Sequence, residues 1–472
     1  MEIFFIKALQ LILCFALLIL LHEGGHFLFA KLFKIRVKKF CLFFDPAINL
    51  GFCRLSGTLK LFSWRGTDYH IGWIPLGGYV NIAGMIDEST SKEELEKDDT
   101  PPEQMFMHKP AWQRLLVMIG GVLVNFITAL VIYCAILFTW GDTYTPIKNF
   151  EHGFKFNDEA KALGYQDYDI PLHTDAATFT RMDADFYRAL SEANSVTVLR
   201  NGSHHTFNMP RQVSLLEITD TKTIPPFVAP LLPSIIDSVA PGTPAHRAGI
   251  SAGDRLIGID SVQFATWNDF SLEMSRRRDI ISTASPTDTS TTHLLSVVVQ
   301  RAGTDHTDTL QIQLPPTLQF GFYMHNVVAH YPAETLHYNL LQCIPAGIDR
   351  GFTTLAGYVS DLKYVFTAEG ARSVGSFGTI GNLFPADWDW QRFWSLTAFI
   401  SLILAVMNML PIPALDGGHV FFLLVEIVTR RKPSEAFMEK AQMLGMVILF
   451  GLMALAIFND CSNFGVFDIF NK

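Results

Sequence analysis

The sequence reads as a polytopic α-helical membrane protein: about four transmembrane helices, a strand-forming stretch on the cytoplasmic side, and two inserted α+β copies on the outer side. Three observations predict it. Four apolar runs are long enough to cross a hydrocarbon layer about 30 Å thick. Basic residues cluster after the first and third of these runs. A pattern of small, acidic and basic residues recurs at nearly fixed spacing in the long segment between the second and the third. Composition agrees, since 49% of the 472 residues are hydrophobic and 39 are Phe, with a mean hydropathy of +0.25, high for a soluble chain. A net charge of −9 without a long basic tract excludes nucleic acid as the main partner.

The first span runs from about Phe4 to Phe33, within 1–35. It is expected to be retained, because it lacks the small-x-small site of a cleaved signal peptide. Lys31, Lys34, Arg36, Lys38 and Lys39 follow it. Residues 36–110 are a cytoplasmic loop. Leu59–Trp64 and Tyr69–Ile74 read as strands joined at Arg65-Gly66, and Pro75 and Gly77-Gly78 break the pattern before Tyr79-Val80. Residues 87–104, rich in Asp, Glu, Ser, Thr and Lys, read as a mobile solvated loop.

The second span, about Leu115 to Trp140, fills 111–141. The third, about Phe393 to Val425 within 391–428, is interrupted by Pro411, Pro413, Asp416, Gly417 and Gly418. The last, about Met443 to Phe458, lies in 429–472 beyond Arg430, Arg431 and Lys432. With both basic clusters in the cytoplasm, the 141–390 region and both termini lie outside. Six scattered cysteines (Cys14, Cys41, Cys53, Cys134, Cys343 and Cys461), with no CxxC spacing, read as free or buried thiols.

In the outer region Ala160, Gly164 and Asp169 recur as Ala245, Gly249 and Asp254. Asp185-Phe186 recurs as Asp269-Phe270, and Val198-x-Arg200-x-Gly202 as Val299-x-Arg301-x-Gly303, after a Ser/Thr-rich insertion around 279–292. Each copy (142–225 and 226–320) reads as a short helix, a turn, strands and a closing hairpin. Pro241–Asp260 resembles a PDZ domain of the bacterial protease type, which either takes an extended peptide on a sheet edge or limits access by size. The first copy, reading Tyr165-Gln-Asp-Tyr-Asp169, resembles it less. In 321–390, residues 343–372 carry apolar positions at helical spacing (Ile348, Phe352, Leu355, Val359, Leu362, Val365). This suits an amphipathic helix on the outer membrane surface or a helix packed on a PDZ-like domain.

The chemistry begins inside the first span, at His22-Glu23-Gly24-Gly25-His26. On a helix, His22 and His26 project from one face and can grip a single Zn²⁺, and Glu23 is a candidate general base for water. Ionisable groups at membrane depth are costly and mark function. A catalytic zinc needs a third protein ligand. Asp416, in Leu415-Asp416-Gly417 beyond a proline-broken helix, is either a helix cap at the break or that ligand, and the His/Glu cluster favours the ligand. His419 either supplies another ligand or supports Asp416.

HExxH on one span and LDG on a later one resemble the site-2 proteases, the intramembrane zinc metalloproteases, over nearly the whole chain. The resemblance is most specific at 18–34, 69–84, 120–126 and 405–420. It implies zinc bound by His22, His26 and Asp416, water activated by Glu23, and peptide-bond hydrolysis within the membrane. It also implies that Asn125 and Asn408 lie near the substrate backbone, though a buried Asn can equally hold helices together. Residues 69–84 resemble a membrane-associated β-hairpin that takes the unwound substrate as an added strand, through Gly77, Gly78, Tyr79 and Val80. Val122 stands where the family commonly has Pro. The implied partners are the lipid bilayer and single-span membrane proteins such as anti-sigma factors, with leftover signal peptides also in that class. The implied location is a bacterial inner membrane, with the repeat in the periplasm. Two other readings are a non-catalytic scaffold with a structural metal, which leaves Glu23 without a purpose, and a soluble zincin, which four long apolar runs oppose.

Overall fold

The computed structural model describes residues 2–44, 48–49, 54–55, 58–85, 99–220, 223–284, 292–315, 317–324 and 331–464. Most of the loop expected at 87–104, the core of the Ser/Thr-rich insertion and Cys53 lie outside the described residues. The chain divides into two compact units, Met1–Gly141 with His337–Lys472, and Asp142–Leu336.

The first unit opens with helix α1 (Glu2–Leu32). The chain leaves it at Lys34, which takes a left-handed backbone (φ 57°), and enters strand β1 (Val37–Phe44). With β2 (Leu59–Trp64), β3 (Thr67–Ile71) and β4 (Ile74–Ile82) it forms one sheet, in the order β2-β3-β1-β4. The β2–β3 hairpin turns at Arg65-Gly66, both with positive φ (48° and 76°), as a two-residue primed turn requires. Two expectations are corrected here. The basic flank at 37–44 is a strand lying between β3 and β4, parallel to the first and antiparallel to the second, so 69–84 is not itself a hairpin. Pro75 and Gly77-Gly78 also fail to break the strand, because β4 is an edge strand, where proline is tolerated. The opposite edge, β2, exposes Leu59, Leu61, Phe62 and Trp64 by 50–66% each.

Helix α2 (Ala111–Thr139) lies against α1 at glycines. A Cβ at Gly25 would stand 2.2 Å from the Gly120 carbonyl oxygen, so the two backbones touch directly. Ala30, Val37, Phe40, Val80, Val117 and Val420 belong to one buried cluster that ties sheet to helices.

The second unit holds the repeat. Its first copy comprises β5 (Phe154–Phe156), α3 (Asp158–Ala162), β6 (Ile170–Thr174), α4 (Ala184–Ser191), β7 (Ser195–Arg200), β8 (Ser203–Asn208) and β9 (Val228–Pro230). The second comprises α5 (Pro244–Arg247), β10 (Arg255–Ile259), α6 (Trp267–Ala284), β11 (His293–Gln300) and β12 (Thr307–Leu314). β8-β7-β6 form one sheet, and β10-β11-β12 run side by side in another.

The spacing of the repeat has a physical reason. Arg200 donates to both carboxylate oxygens of Asp169 (2.8 and 2.7 Å) and to the Gly164 carbonyl (2.8 Å). Arg301 likewise donates to Asp254 (2.8 Å) and to the Gly249 carbonyl (2.7 Å). Both glycines need positive φ (117° and 80°). Phe186 and Phe270 are buried in the two respective cores. Removing the carboxylate in Asp254→Ala deprives Arg301 and the Ser251 and Ala302 amides of an acceptor and is expected to cost about 2 kcal/mol locally. Hydrogen exchange over 244–320 of the full chain should then accelerate roughly 30-fold, against no change if the pair is incidental.

The borders of the copies differ from the expected ones. β9 pairs with β5, and Phe227, Val228 and Tyr331 belong to the first copy's core, while Phe322 belongs to the second's. Glu334–Leu336 pairs with Asp142–Tyr144, so these residues belong to this unit and not to the segment that follows it. Between the copies, Lys155 bridges Asp167 (2.6 Å) and Asp269 (2.8 Å). Burial pushes the Asp167 carboxyl up, yet hydrogen bonds from Lys155, the Phe156 amide and Lys161 hold it below its ordinary range.

The chain then returns to the first unit. Helix α7 (Cys343–Asp361) packs within this unit. It lays its glycine face on α2, where a Cβ at Gly347 would meet Cys134 Sγ at 2.5 Å and one at Gly351 would meet Leu130 at 2.3 Å. The apolar positions Ile348, Phe352, Val359 and Val365 face outward, 38–52% exposed. Helices α8 (Trp390–Met409), α9 (Asp416–Thr429) and α10 (Glu435–Asn463) complete the unit. Among the described residues four helices are long and apolar enough to cross a membrane: Glu2–Leu32, Ala111–Thr139, Trp390–Met409 and Ala436–Asn463. Cys14, Cys41, Cys134, Cys343 and Cys461 are free thiols, as expected.

Candidate metal centre

The site is built where α1, α2 and the break before α9 meet. On α1, the four-residue step places the His22 and His26 rings on one face, with their Nε2 atoms 3.3 Å apart. The break follows from Pro411 and Pro413, which remove two backbone donors. The loop folds back tightly: a Cβ at Gly417 would stand 2.2 Å from the Leu410 carbonyl oxygen, and one at Gly418 2.6 Å from that of Ile412. Gly445 of α10 is packed on Pro413 as closely. Only glycine fits at these contacts, and together they fix the start of α9.

Asp416 is the first residue of α9, at the positive end of its dipole. It does not cap the helix, for Leu415 holds the cap position with no side-chain cap bond. Its Oδ2 instead stands 3.2 Å from His22 Nε2 and 3.2 Å from His26 Nε2. The three groups are the set among the described residues able to share one metal ion.

The geometry fits zinc. Ligands held at 2.0–2.1 Å and a tetrahedral angle stand roughly 3.3–3.4 Å apart, close to the three edges found here. Asp416 Oδ2 is buried without a hydrogen-bond donor, a costly state for a carboxylate oxygen unless a cation faces it. Three protein ligands leave a fourth position open, the pattern of a catalytic rather than a structural site. His26 Nδ1 lies 2.8 Å from the Val117 carbonyl oxygen; donating its proton there leaves Nε2 free to bind metal.

A cavity of about 770 Å³ opens onto this cluster. Its lining includes Glu23, the two histidines, Asp416, Asn125, Asn408 and His419, and the Gly77, Gly78, Tyr79 and Val80 stretch of edge strand β4. Every metal-ligand, base and substrate-contact candidate named from the sequence therefore lines this cavity. The remaining wall is largely apolar, with Leu18, Ile19, Ile74, Met118 and Leu404. A Cβ at Gly78 would come 3.5 Å from Glu23 Cγ, so the strand passes close beside the candidate base.

Comparison with known proteins identifies the family. A family model described as peptidase family M50 matches residues 10–452. The chain belongs to this family. It is similar along its length to the regulator of sigma-E protease RseP of Escherichia coli, 26% identical over 493 residues covering 96% of this chain and 97% of that one. Protease RseP of Yersinia pestis is 24% identical, with 96% and 97% covered. A Vibrio cholerae protein provisionally named a zinc metalloprotease is 25% identical, with 95% and 97% covered. Membership in M50 makes the chain a site-2-type metalloprotease.

One residue beside the metal cluster was not singled out from the sequence by itself. A Cβ at Gly121 would lie 2.5 Å from His26 Nε2 and 2.7 Å from His22 Cε1, so the absence of a side chain there makes room for both rings. The signal was the Gly121-x-x-x-Asn125 spacing, which puts both residues on one helical face. Gly121→Val is expected to abolish zinc retention while leaving helix content unchanged, as read by metal analysis and circular dichroism. Retained zinc would mean that the rings are not held this way.

Proposed function

We propose that the protein is an intramembrane zinc endopeptidase that cuts the membrane-spanning segments of single-span membrane proteins in regulated intramembrane proteolysis. The substrate class is of the anti-sigma-factor type and extends to leftover signal peptides. The observation that carries this reading is the convergence of His22 and His26, on a helix apolar enough to cross a membrane, with Asp416 on a cavity edged by strand β4.

His22, His26 and Asp416 would hold Zn²⁺. Bound there, zinc supplies Lewis acidity, which acidifies water and polarises a peptide carbonyl. Glu23 accepts the proton of the attacking water and returns it to the leaving amine. A helical substrate shields its peptide bonds, so it must be extended before hydrolysis. The outer edge of β4, which pairs with β1 on its other side, offers main-chain groups for that, with Gly77, Gly78, Tyr79 and Val80 along it and Asn408 also in the cavity lining. The aromatic and aliphatic face of β2 suits contact with lipid.

In this reading the basic clusters are cytoplasmic, both termini and the duplicated unit are on the outer side, and the membrane is the inner one of a bacterium. The duplicated unit selects substrates, by peptide binding or by size. The test is cleavage of a tagged single-span substrate by zinc-loaded protein in liposomes, with the cut mapped by mass spectrometry. Cuts within the span, lost on chelation, are expected. Cuts confined to soluble segments would overturn the proposal.

A further inference from the structure

The second helix presents three positions to the metal centre at intervals of four residues, so that Val117, Gly121 and Asn125 share one face. Val117 accepts from His26 through its carbonyl (2.8 Å). Gly121 is the gap into which both rings fit. Asn125 completes the row, with its amide nitrogen Nδ2 3.3 Å from His22 Nδ1. We propose that Asn125 is a positioning residue of the metal site, whose side-chain oxygen accepts the Nδ1 proton of His22 and so aims His22 Nε2 at the metal. The proposal rests on the zinc reading above.

The argument is one of proton accounting. Neutral imidazole carries a single ring proton, and the nitrogen that binds a metal must be the bare one. His22 Nε2 faces Asp416 and His26 Nε2, so the proton sits on Nδ1 and needs an acceptor. Nδ1 faces the Asn125 amide, and only the oxygen end of an amide accepts. That same oxygen has no other donor although it is buried, which is costly for an isolated amide group. With the nitrogen end toward the ring, two donors would face each other; a half-turn of the amide, whose two ends are alike in shape, brings Oδ1 to the ring and satisfies Nδ1 and Oδ1 together. The two ligand histidines are then held alike, each donating Nδ1–H to an oxygen of α2.

Burial separates this role from a substrate-binding one. Asn125 has no exposed surface, and its own backbone carbonyl accepts from Ser401 Oγ at 2.7 Å. That contact ties the residue to α8 and fixes the side chain's starting point. A group held in this way on a helix interior is placed to orient a ring rather than to follow an extended peptide. Asn408, half-buried in the cavity lining, keeps the substrate-facing position.

The test uses the full chain in detergent and reads zinc affinity by competition with a chelator, alongside KM for a tagged single-span substrate at saturating zinc. Asn125→Leu and Asn125→Ala both remove the acceptor, and the second keeps the assay open if the larger side chain impairs folding. Each is expected to weaken zinc binding 10- to 100-fold, the usual effect of losing an outer partner of a ligand histidine, with KM unchanged. Asn125→Asp keeps an acceptor and is expected to bind zinc at least as tightly as wild type. Wild-type zinc affinity in the Leu and Ala variants, above all with a raised KM, would overturn the proposal and give Asn125 to the substrate. A wild type that binds no zinc, or a His22→Ala variant that binds it fully, would instead overturn the metal reading itself.

Discussion

Glu23→Gln is expected to lower turnover by about 10²- to 10⁴-fold while one zinc per chain remains bound. Glu23 lines the cavity beside the cluster but is not one of the three groups that converge on a common point. Replacing its carboxylate by an isosteric amide removes the proton acceptor and leaves the ligand triangle intact. The measurement pairs metal analysis with cleavage of a tagged single-span substrate. The split between the two readouts matters more than either alone. A scaffold with a structural metal predicts no dependence on Glu23, so unchanged cleavage by the Gln variant would remove the enzymatic account of this residue.

Asp416→Ala is expected to act on the metal itself. Its Oδ2 is the apex that both imidazoles face at 3.2 Å, and it is the only anionic member of the set. Without it, two neutral histidines hold the ion. Zinc affinity should fall by more than the 10- to 100-fold typical of a lost outer partner, and cleavage should drop to background even though Glu23 is untouched. The fold is expected to survive, because the carboxylate does not cap α9. Its removal also leaves no buried charge unpaired. Dialysis followed by metal analysis checks the first point, and circular dichroism the second. An Asp416→Ala protein that kept its zinc would show that the third ligand lies elsewhere.

What could be read from the sequence was what depends on short-range spacing. His22 and His26 stand one helical turn apart, and Pro411 with Pro413 announces a break that gives a membrane-depth Asp416 a purpose. The repeat was visible as matched Asp and Arg positions, but their pairing as Asp169–Arg200 and Asp254–Arg301 was not, because contacts across more than thirty residues leave no periodic trace. Strand β1 was hidden for two reasons. Lys38 and Lys39 fit a basic flank as well as a strand, and its parallel partner β3 lies beyond an intervening segment.

Pro75 and the glycine pair pointed toward a break, whereas an edge strand accommodates both. The duplicated unit's borders were misplaced because β9 and Tyr331 return to the first copy's core from far along the chain. The helix at 343–361 was read by its apolar positions, but it packs by its glycines. In a membrane-spanning unit apolar side chains can face outward and small ones inward, which inverts the rule for soluble helices.

X-ray absorption at the zinc edge, on the purified full chain, tests the central claim most directly. The account predicts bound zinc with two imidazole nitrogens and carboxylate oxygen at about 2.0–2.2 Å, and loss of part of that shell in Asp416→Ala. A sulfur shell near 2.3 Å, or a spectrum unchanged by the substitution, would contradict it.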